Sequence, residues 1–184
     1  MTAPAVSAPL ANPAAPDSDG PNSSAALARS LYELIAKQPF FKGLNYQQLQ
    51  LLAVSALEMQ FETGAMIFAE GSPANRFFLI LTGRVVLSSE MEDRNEIPVQ
   101  TLGPGDDLGW SWLFPPYSMH FTARALEPTT AIFFYGTRLR QQCEEDHELG
   151  YQIMGRIAEV ATESLRSTQR RLMQYIDKNT PEQP

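Results

Sequence analysis

The stretch Phe61-Glu-Thr-Gly64-Ala-Met-Ile-Phe-Ala-Glu-Gly71-Ser-Pro-Ala-Asn-Arg-Phe77-Phe-Leu-Ile-Leu-Thr-Gly83-Arg-Val-Val-Leu87 is cut by three glycines into short apolar runs. None of these runs is long enough to show the apolar stripe of a helix. Short β-rich runs with Gly at the turn positions read instead as consecutive antiparallel strands of a small sandwich or barrel.

The pattern continues on both sides. Strands are expected over Leu57–Glu62, Ala65–Ala69, Phe77–Leu81, Arg84–Ser89, Pro98–Leu102, Phe121–Leu126 and Thr130–Tyr135, with the polar stretch Glu90–Glu96 as a hairpin tip. About eight strands at this spacing suggest a double-sheet jelly roll. Before them, helical periodicity begins near Ser24, with Leu27, Leu31, Leu34 and Ile35 on one face, and Pro39 stops it. Asn45 and Gln48 form a capping-box pattern opening a second helix, with Leu49, Leu52 and Val54 as core candidates. Phe40 and Phe41 lie between the two helices and serve as a packing plug. After the strands, Thr137 offers a hydroxyl cap for a third helix to about Glu145.

Asp146 then caps a long last helix to about Lys178. Its apolar stripe is Leu149, Ile153, Ile157, Val160, Ala161, Leu165, Leu172 and Ile176. Roughly 30 residues make about 45 Å of helix. Such a helix outruns a small barrel, so part of its stripe must meet something else, unless it folds back along its own barrel. Residues 1–23 are Ala, Pro, Ser, Asn and Asp with almost no large apolar side chain, the composition of a disordered tail.

The glycine spacing from Gly64 to Gly83 resembles the opening of the cyclic-nucleotide-binding domain, the sensor module of the cAMP receptor protein and of regulated kinases and channels. The resemblance extends over about residues 25–178. It implies a mainly β (α+β) fold, a double-stranded β-helix or jelly-roll barrel at 57–136. N-terminal helices at 24–56 and C-terminal helices at 137–178 flank the barrel, and a short tail at 179–184 follows. It also implies a homodimer built through the long helix, residues 149–176.

In that family the insertion before the penultimate strand is the phosphate-binding cassette. A Gly-Glu pair opens a short helix facing the cyclic phosphate, the Glu holds the ribose hydroxyl, and an Arg pairs with the phosphate charge. Here the corresponding loop runs from Gly103 to Phe121. Leu108-Gly109 matches the turn into the cassette, and Trp110–Phe114 could form the short helix before Pro115 and Pro116. The Glu position holds Trp110, however, and the Arg position holds Ser118 or Met119. Arg124 comes some five residues too late and is expected to point away from the pocket or into a surface pair. Losing the Arg forfeits about 2–5 kcal/mol, and losing the Glu costs roughly 1–3 kcal/mol more. Ordinary cAMP or cGMP is therefore not the expected ligand.

The loop offers aromatic surface in exchange. Candidate pocket residues are Gly109, Trp110, Ser111, Trp112, Tyr117, Met119, His120 and Phe121. Two readings stay open: rings stacked on a nucleotide-like or other planar small ligand, or indoles that fill the ligand volume. Thr162, Ser164 and Thr168 on the last helix are candidates to close over a bound base.

Composition bounds the remaining classes. Net charge is −7, from 21 acidic and 14 basic residues, which disfavours binding through phosphate neutralisation. The cluster Arg166, Arg170 and Arg171 reads as a solvated face. The family's transcription factors carry a DNA-reading domain after the long helix, and this sequence stops at Pro184, so direct sequence-specific DNA binding is not expected. One cysteine, Cys143, and two histidines, His120 and His147, allow neither an internal disulfide nor a four-ligand zinc site. Cys143 and His147 would share a face if that stretch were one helix; a semi-buried thiol on a solvated helix is the simpler reading. No run approaches the ~18 apolar residues of a membrane span, and Met1–Leu10 makes a poor signal peptide. A cytoplasmic location follows. No catalytic or metal constellation is recognisable. The expected function is a regulatory sensor, with a ligand-free scaffold or protein-interaction module as the alternative.

Overall fold

The computed structural model describes residues 21–90 and 96–179. Of the tail expected at 1–23, the hairpin tip at 90–96 and the tail at 179–184, residues 1–20, 91–95 and 180–184 lie outside the described residues; residues 21–23 belong instead to the first helix, Glu90 and Glu96 to strands, and Asn179 to the last helix. The strands are β1 (Ala56–Phe61), β2 (Met66–Phe68), β3 (Arg76–Thr82), β4 (Val85–Glu90), β5 (Glu96–Leu102), β6 (Asp107–Leu108), β7 (Thr122–Ala125) and β8 (Thr129–Tyr135). They form two antiparallel four-stranded sheets, ordered β1-β8-β3-β6 and β2-β7-β4-β5. This is the expected jelly roll with flanking helices. Glu90 pairs with Glu96, so β4 and β5 are the two arms of the hairpin. The strand missing from the sequence reading is β6, whose two residues are too few to show a period.

The unbroken apolar runs of β3 and β8 have a structural cause. Phe77, Leu79, Ile132 and Phe134 point into a cluster shared with the helices, while Phe78, Ile80, Ala131 and Phe133 point into the barrel interior. Strands buried on both faces need no polar alternation. The left-handed turns fall where the glycines predicted them, at Gly64, Gly71 and Gly83 (φ 82°, 74° and 84°). At Gly83 a Cβ would stand 2.5 Å from Thr129 Oγ1 and 2.6 Å from the Pro128 carbonyl oxygen, so glycine alone fits between β3 and β4.

Four helices flank the barrel: α1 (Pro21–Ala36), α2 (Tyr46–Val54), α3 (Gly136–Glu145) and α4 (His147–Asn179). The first starts at Pro21, ahead of the expected Ser24. Pro39 opens a short 3-10 turn, Pro39–Phe41, that drives two rings into the core. Phe40 sits 5.0 Å from Phe77 and Phe41 5.6 Å from Phe134, centroid to centroid. The capping box forms as expected, with Asn45 and Gln48 bonding reciprocally.

Val54 is a correction: it is 75% exposed, and Ala53 takes the buried place beside Leu49 and Leu52. Residues two apart on a helix do not share a face, so Leu52 and Val54 could not both be inside. Thr137 is a second correction, because α3 begins one residue earlier and carries no side-chain cap. The Gly136 N–H donates instead to the Asn75 carbonyl at 2.9 Å, so the barrel satisfies this end of the helix.

Asp146 caps α4 as expected, its Oδ1 accepting from the Leu149 N–H at 3.0 Å. Its Oδ2 accepts from Gln48 Nε2 at 3.0 Å, which ties the start of α4 to the start of α2. The Leu149 N–H, followed by Gln48, holds this carboxyl below its ordinary range. The same break puts Cys143 on α3 and His147 on α4, so the two do not share a helix. Burial, then the charges of Asp146 and Glu144, push the Cys143 thiol up to about 11.

Candidate functional site

The loop from Gly103 to Phe121 crosses the open side of the barrel between β5 and β7. It begins with a tight turn in which Asp106 Oδ2 accepts from the Gly103 N–H at 2.8 Å. Strand β6 follows, pairing Asp107 with Leu79 and Leu108 with Phe78. Gly109 then turns the chain at φ 88°, where a Cβ would lie 2.6 Å from the Arg76 carbonyl oxygen. The expected short helix is a single 3-10 turn, Trp110–Leu113.

Against this loop lies a cavity of about 140 Å³. Gly109, Trp110, Ser111, Met119, His120 and Phe121 line it, six of the eight residues expected there. Its apolar wall continues through Phe68, Leu87, Leu102 and Leu108 from the barrel, and α4 contributes Val160, Glu163 and Ser164. His120 Nδ1 lies 3.2 Å from Ser111 Oγ, and its ring meets the Trp110 indole edge-on at 5.5 Å. The polar element and the aromatic wall are thus one unit.

Trp112 and Tyr117 are corrections. Trp112 is 0% exposed and packs on the opposite side, against Phe77 at 6.1 Å, inside the cluster shared with the helices. With three residues per 3-10 turn, positions 110 and 112 stand about 240° apart, so the two indoles cannot face one space. Arg140 donates to the Trp112 carbonyl and holds the turn to α3. Tyr117 is 42% exposed, with the Arg140 guanidinium 4.4 Å from its ring centroid. Its carbonyl is drawn inward by the Ala74 N–H at 2.7 Å, which sends the ring outward. On α4 only Ser164 of the three expected hydroxyls reaches the cavity; Thr162 and Thr168 donate to their own helix, to the Ala158 and Ser164 carbonyls.

The electrostatics run against an anionic ligand. Among the described residues lining the cavity there is no Lys or Arg, while Asp106, Asp107 and Glu163 are all present. Met119 is buried, with its Cε close to Gly109, and places a thioether at one of the two positions where a phosphate-binding Arg was sought. Arg124 forms the surface pair expected of it, 3.1 Å from Glu96. Hydrogen bonds from Ser88 and Arg124 keep the Glu96 carboxyl below its ordinary range. Burial, reinforced by the charge of Asp106, pushes the Asp107 carboxyl up to about 7. These residues do not fit a cyclic phosphate. Sequence reasoning missed the carboxylates and, on α4, Val160 and Glu163 beside the expected Ser164; the one signal available for the carboxylates was the Asp106-Asp107 pair before Gly109. Among the described residues no group of three or more His, Cys, Asp or Glu side chains is placed to hold a metal ion.

A jelly roll closed by a cassette loop and a long C-terminal helix defines a class, and sequence comparison agrees with it. The cyclic nucleotide-binding domain family matches residues 58–146, and the chain belongs to that family. A Geobacter metallireducens protein described as cyclic nucleotide-binding is 32% identical, with a TM-score of 0.66 over 72% of this chain and 96% of its own. The CRP-like cAMP-activated global transcriptional regulator of Mycobacterium tuberculosis is 25% identical over 149 residues, 81% of this chain and 65% of the regulator. The cAMP-dependent protein kinase type I-alpha regulatory subunit of Mesocricetus auratus is 35% identical over 83 residues, 44% of this chain and 47% of that subunit. The chain thus spans less than two thirds of either curated relative. Both are regulators. No helix among the described residues is long and apolar enough to cross a membrane.

Proposed function

We propose that this chain is a cytoplasmic, non-catalytic regulatory protein whose barrel binds a small planar ligand other than ordinary cAMP or cGMP, and which signals through α4. The observation that carries the reading is the open cavity between the cassette loop and α4, with Val160, Glu163 and Ser164 of that helix in its wall. A ligand seated there touches the cassette and the helix at once, so occupancy and helix position are thermodynamically linked. The alternative, a ligand-free scaffold, requires the indoles to fill the cavity, and Trp112 is packed elsewhere.

The output surface in this reading is a homodimer through the second half of α4. There Leu165 and Leu172, seven residues apart, are 59% and 56% exposed. A seven-residue apolar repeat is the spacing that pairs helices.

Thermal unfolding of the full chain against cAMP, cGMP, cyclic dinucleotides, nucleosides and heme tests the ligand. A ligand at ~100 times its dissociation constant adds about 2.7 kcal/mol, a shift of several degrees at this size. A shift with one compound, lost in Trp110→Ala, supports the sensor. A cooperative melt unmoved by every compound refutes it and favours the scaffold.

A further inference from the structure

The cavity against the cassette loop is small. Its volume is about 140 Å³, close to the roughly 150 Å³ at which an engineered apolar cavity holds a benzene ring. Such a space encloses one aromatic ring or a compact fused pair and leaves the sugar and phosphate of a nucleotide outside. The end at Gly109, where the family cassette described above faces the phosphate, is closed by apolar atoms. Met119 Cε and Phe68 Cε1 each lie 3.5 Å from the point where a Gly109 Cβ would stand. Among the described lining residues there is no Lys or Arg, and His120 is the one basic side chain. Leu108, Phe121 and the Trp110 indole continue the wall, surface suited to a flat ring.

The polar groups of the cassette form a pair. Ser111 is 6% exposed, and its Oγ lies 3.2 Å from Nδ1 of the exposed His120. The Trp110 indole meets the imidazole edge-on at 5.5 Å and fixes its place. A hydroxyl both donates and accepts, so it serves either imidazole tautomer. When Ser111 donates to Nδ1, the His120 Nε2 carries the proton and is a donor; when Nδ1 donates to Ser111, Nε2 is an acceptor. The wall's carboxylates on either side are engaged already: Asp106 by the Gly103 N–H at 2.8 Å, and Glu163 by Arg170 at 2.8 Å and Arg166 at 3.9 Å.

Resting on the reading of this cavity as a ligand site, we infer that it takes an uncharged planar ring of nucleobase size, without sugar or phosphate, whose hydrogen-bonding edge is read by the Ser111–His120 pair. The interior supplies burial, and the pair supplies orientation. Selection runs by size and by charge. A sugar stays in water outside the cavity and gains nothing, and a phosphate finds no Lys or Arg in the described wall.

NMR titration of the full chain with adenine, benzimidazole, adenosine and adenosine 5′-monophosphate tests this. The inference expects at least one of the two free heterocycles to bind. Adenosine should bind no tighter than that heterocycle, and the monophosphate at least tenfold more weakly. His120→Ala should weaken the bound heterocycle about three- to tenfold, the worth of one hydrogen bond. His120→Gln, which keeps a donor and an acceptor, should recover part of that loss; a merely structural role of His120 would lower the melting temperature and show no such recovery. If adenosine binds tighter than both heterocycles, if the monophosphate comes within tenfold of them, or if His120→Ala leaves their affinity unchanged, the inference falls and the cavity remains a ligand site. It falls in the same way if neither heterocycle binds while a compound of the thermal panel does. If nothing in either panel binds, the reading of the cavity as a ligand site falls, and this inference with it.

Discussion

On one side of the barrel, α1, α2, α3 and the start of α4 lay Leu31, Ile35, Leu52, Leu149, Ile153 and Ile157 over Phe77, Trp112 and Phe134; on the other, the later part of α4 leaves a cavity beneath it. The closed side also carries polar ties between elements. Gln48 reaches Asp146, and Arg156 Nη2 donates to the Lys42 carbonyl at 2.9 Å. Beyond the cavity wall, α4 touches the barrel through Arg171, which donates to the Pro98 carbonyl at 3.4 Å. One helix is thus anchored over its first three turns and lightly held over the rest. Each buried Leu or Ile contributes about 1.5–3 kcal/mol, so the anchor outweighs the roughly 2.7 kcal/mol a ligand adds at 100 times its dissociation constant. The lightly held part does not. In the proposed function, the second half of α4 is the part that responds to a ligand and the first half is the part that stays in place.

The strongest test of this contrast is Trp112→Ala, which should cost about 3–5 kcal/mol in denaturant unfolding because the indole is fully buried on the closed side. Trp110→Ala, two residues away, should leave most of the stability and remove ligand binding. On α4 itself, Ile157→Ala should cost about 2–4 kcal/mol, whereas Val160→Ala, one turn on, should cost well under half of that and change ligand affinity. Equal losses at 157 and 160 would break the contrast.

The cavity side should also show in the pH dependence of stability. Burial raises the Asp107 carboxyl from 3.8 to about 7 in the folded protein. The folded state then holds the proton more tightly than the unfolded chain, so this group's contribution is fully present below about pH 4 and is lost as pH rises to about 7. Asp107→Asn should abolish that decline, measured as the slope of unfolding free energy across the window. The depressed carboxyls Glu96 and Asp146 act in the opposite sense, and their contribution is lost only as pH falls below the ordinary carboxylate range.

Smaller effects lie on exposed positions. Replacing Leu165 and Leu172 together by Glu should move stability by less than about 0.5 kcal/mol per site while shifting the sedimentation coefficient from dimer to monomer. Arg124→Ala should cost about 0.2–1 kcal/mol, the usual value of a partly exposed ion pair, and leave the affinity of any cavity ligand unchanged.

Much of the scaffold was legible before folding was considered. The glycines at 64, 71 and 83, the Asn45–Gln48 box and the Asp146 cap are local devices, set by backbone conformation and by groups a few residues apart. Sequence is a sufficient record of such interactions. The site was legible only in part. Six of its expected residues reach the cavity, yet Trp112 and Tyr117 do not, because a 3-10 turn and one carbonyl bond from Ala74 rotate them away. Val54 failed for a related reason: a nine-residue helix with apolar residues on more than one face does not announce which face is covered.

What residue type and near-neighbour spacing determined by themselves was therefore a β-sandwich with flanking helices; the jelly roll, and Trp110 and Ser118 or Met119 standing where the family has its Glu and Arg, came through the resemblance carried by the glycine spacing. Tertiary structure alone decided that Trp112 packs away from the cavity, that Glu163 joins Ser164 in its wall, and that a buried Asp107 oxygen is left without a hydrogen-bond partner. Those properties arise where residues more than fifty positions apart meet across the barrel. Burial and charge are set there by packing, and packing has no local signature.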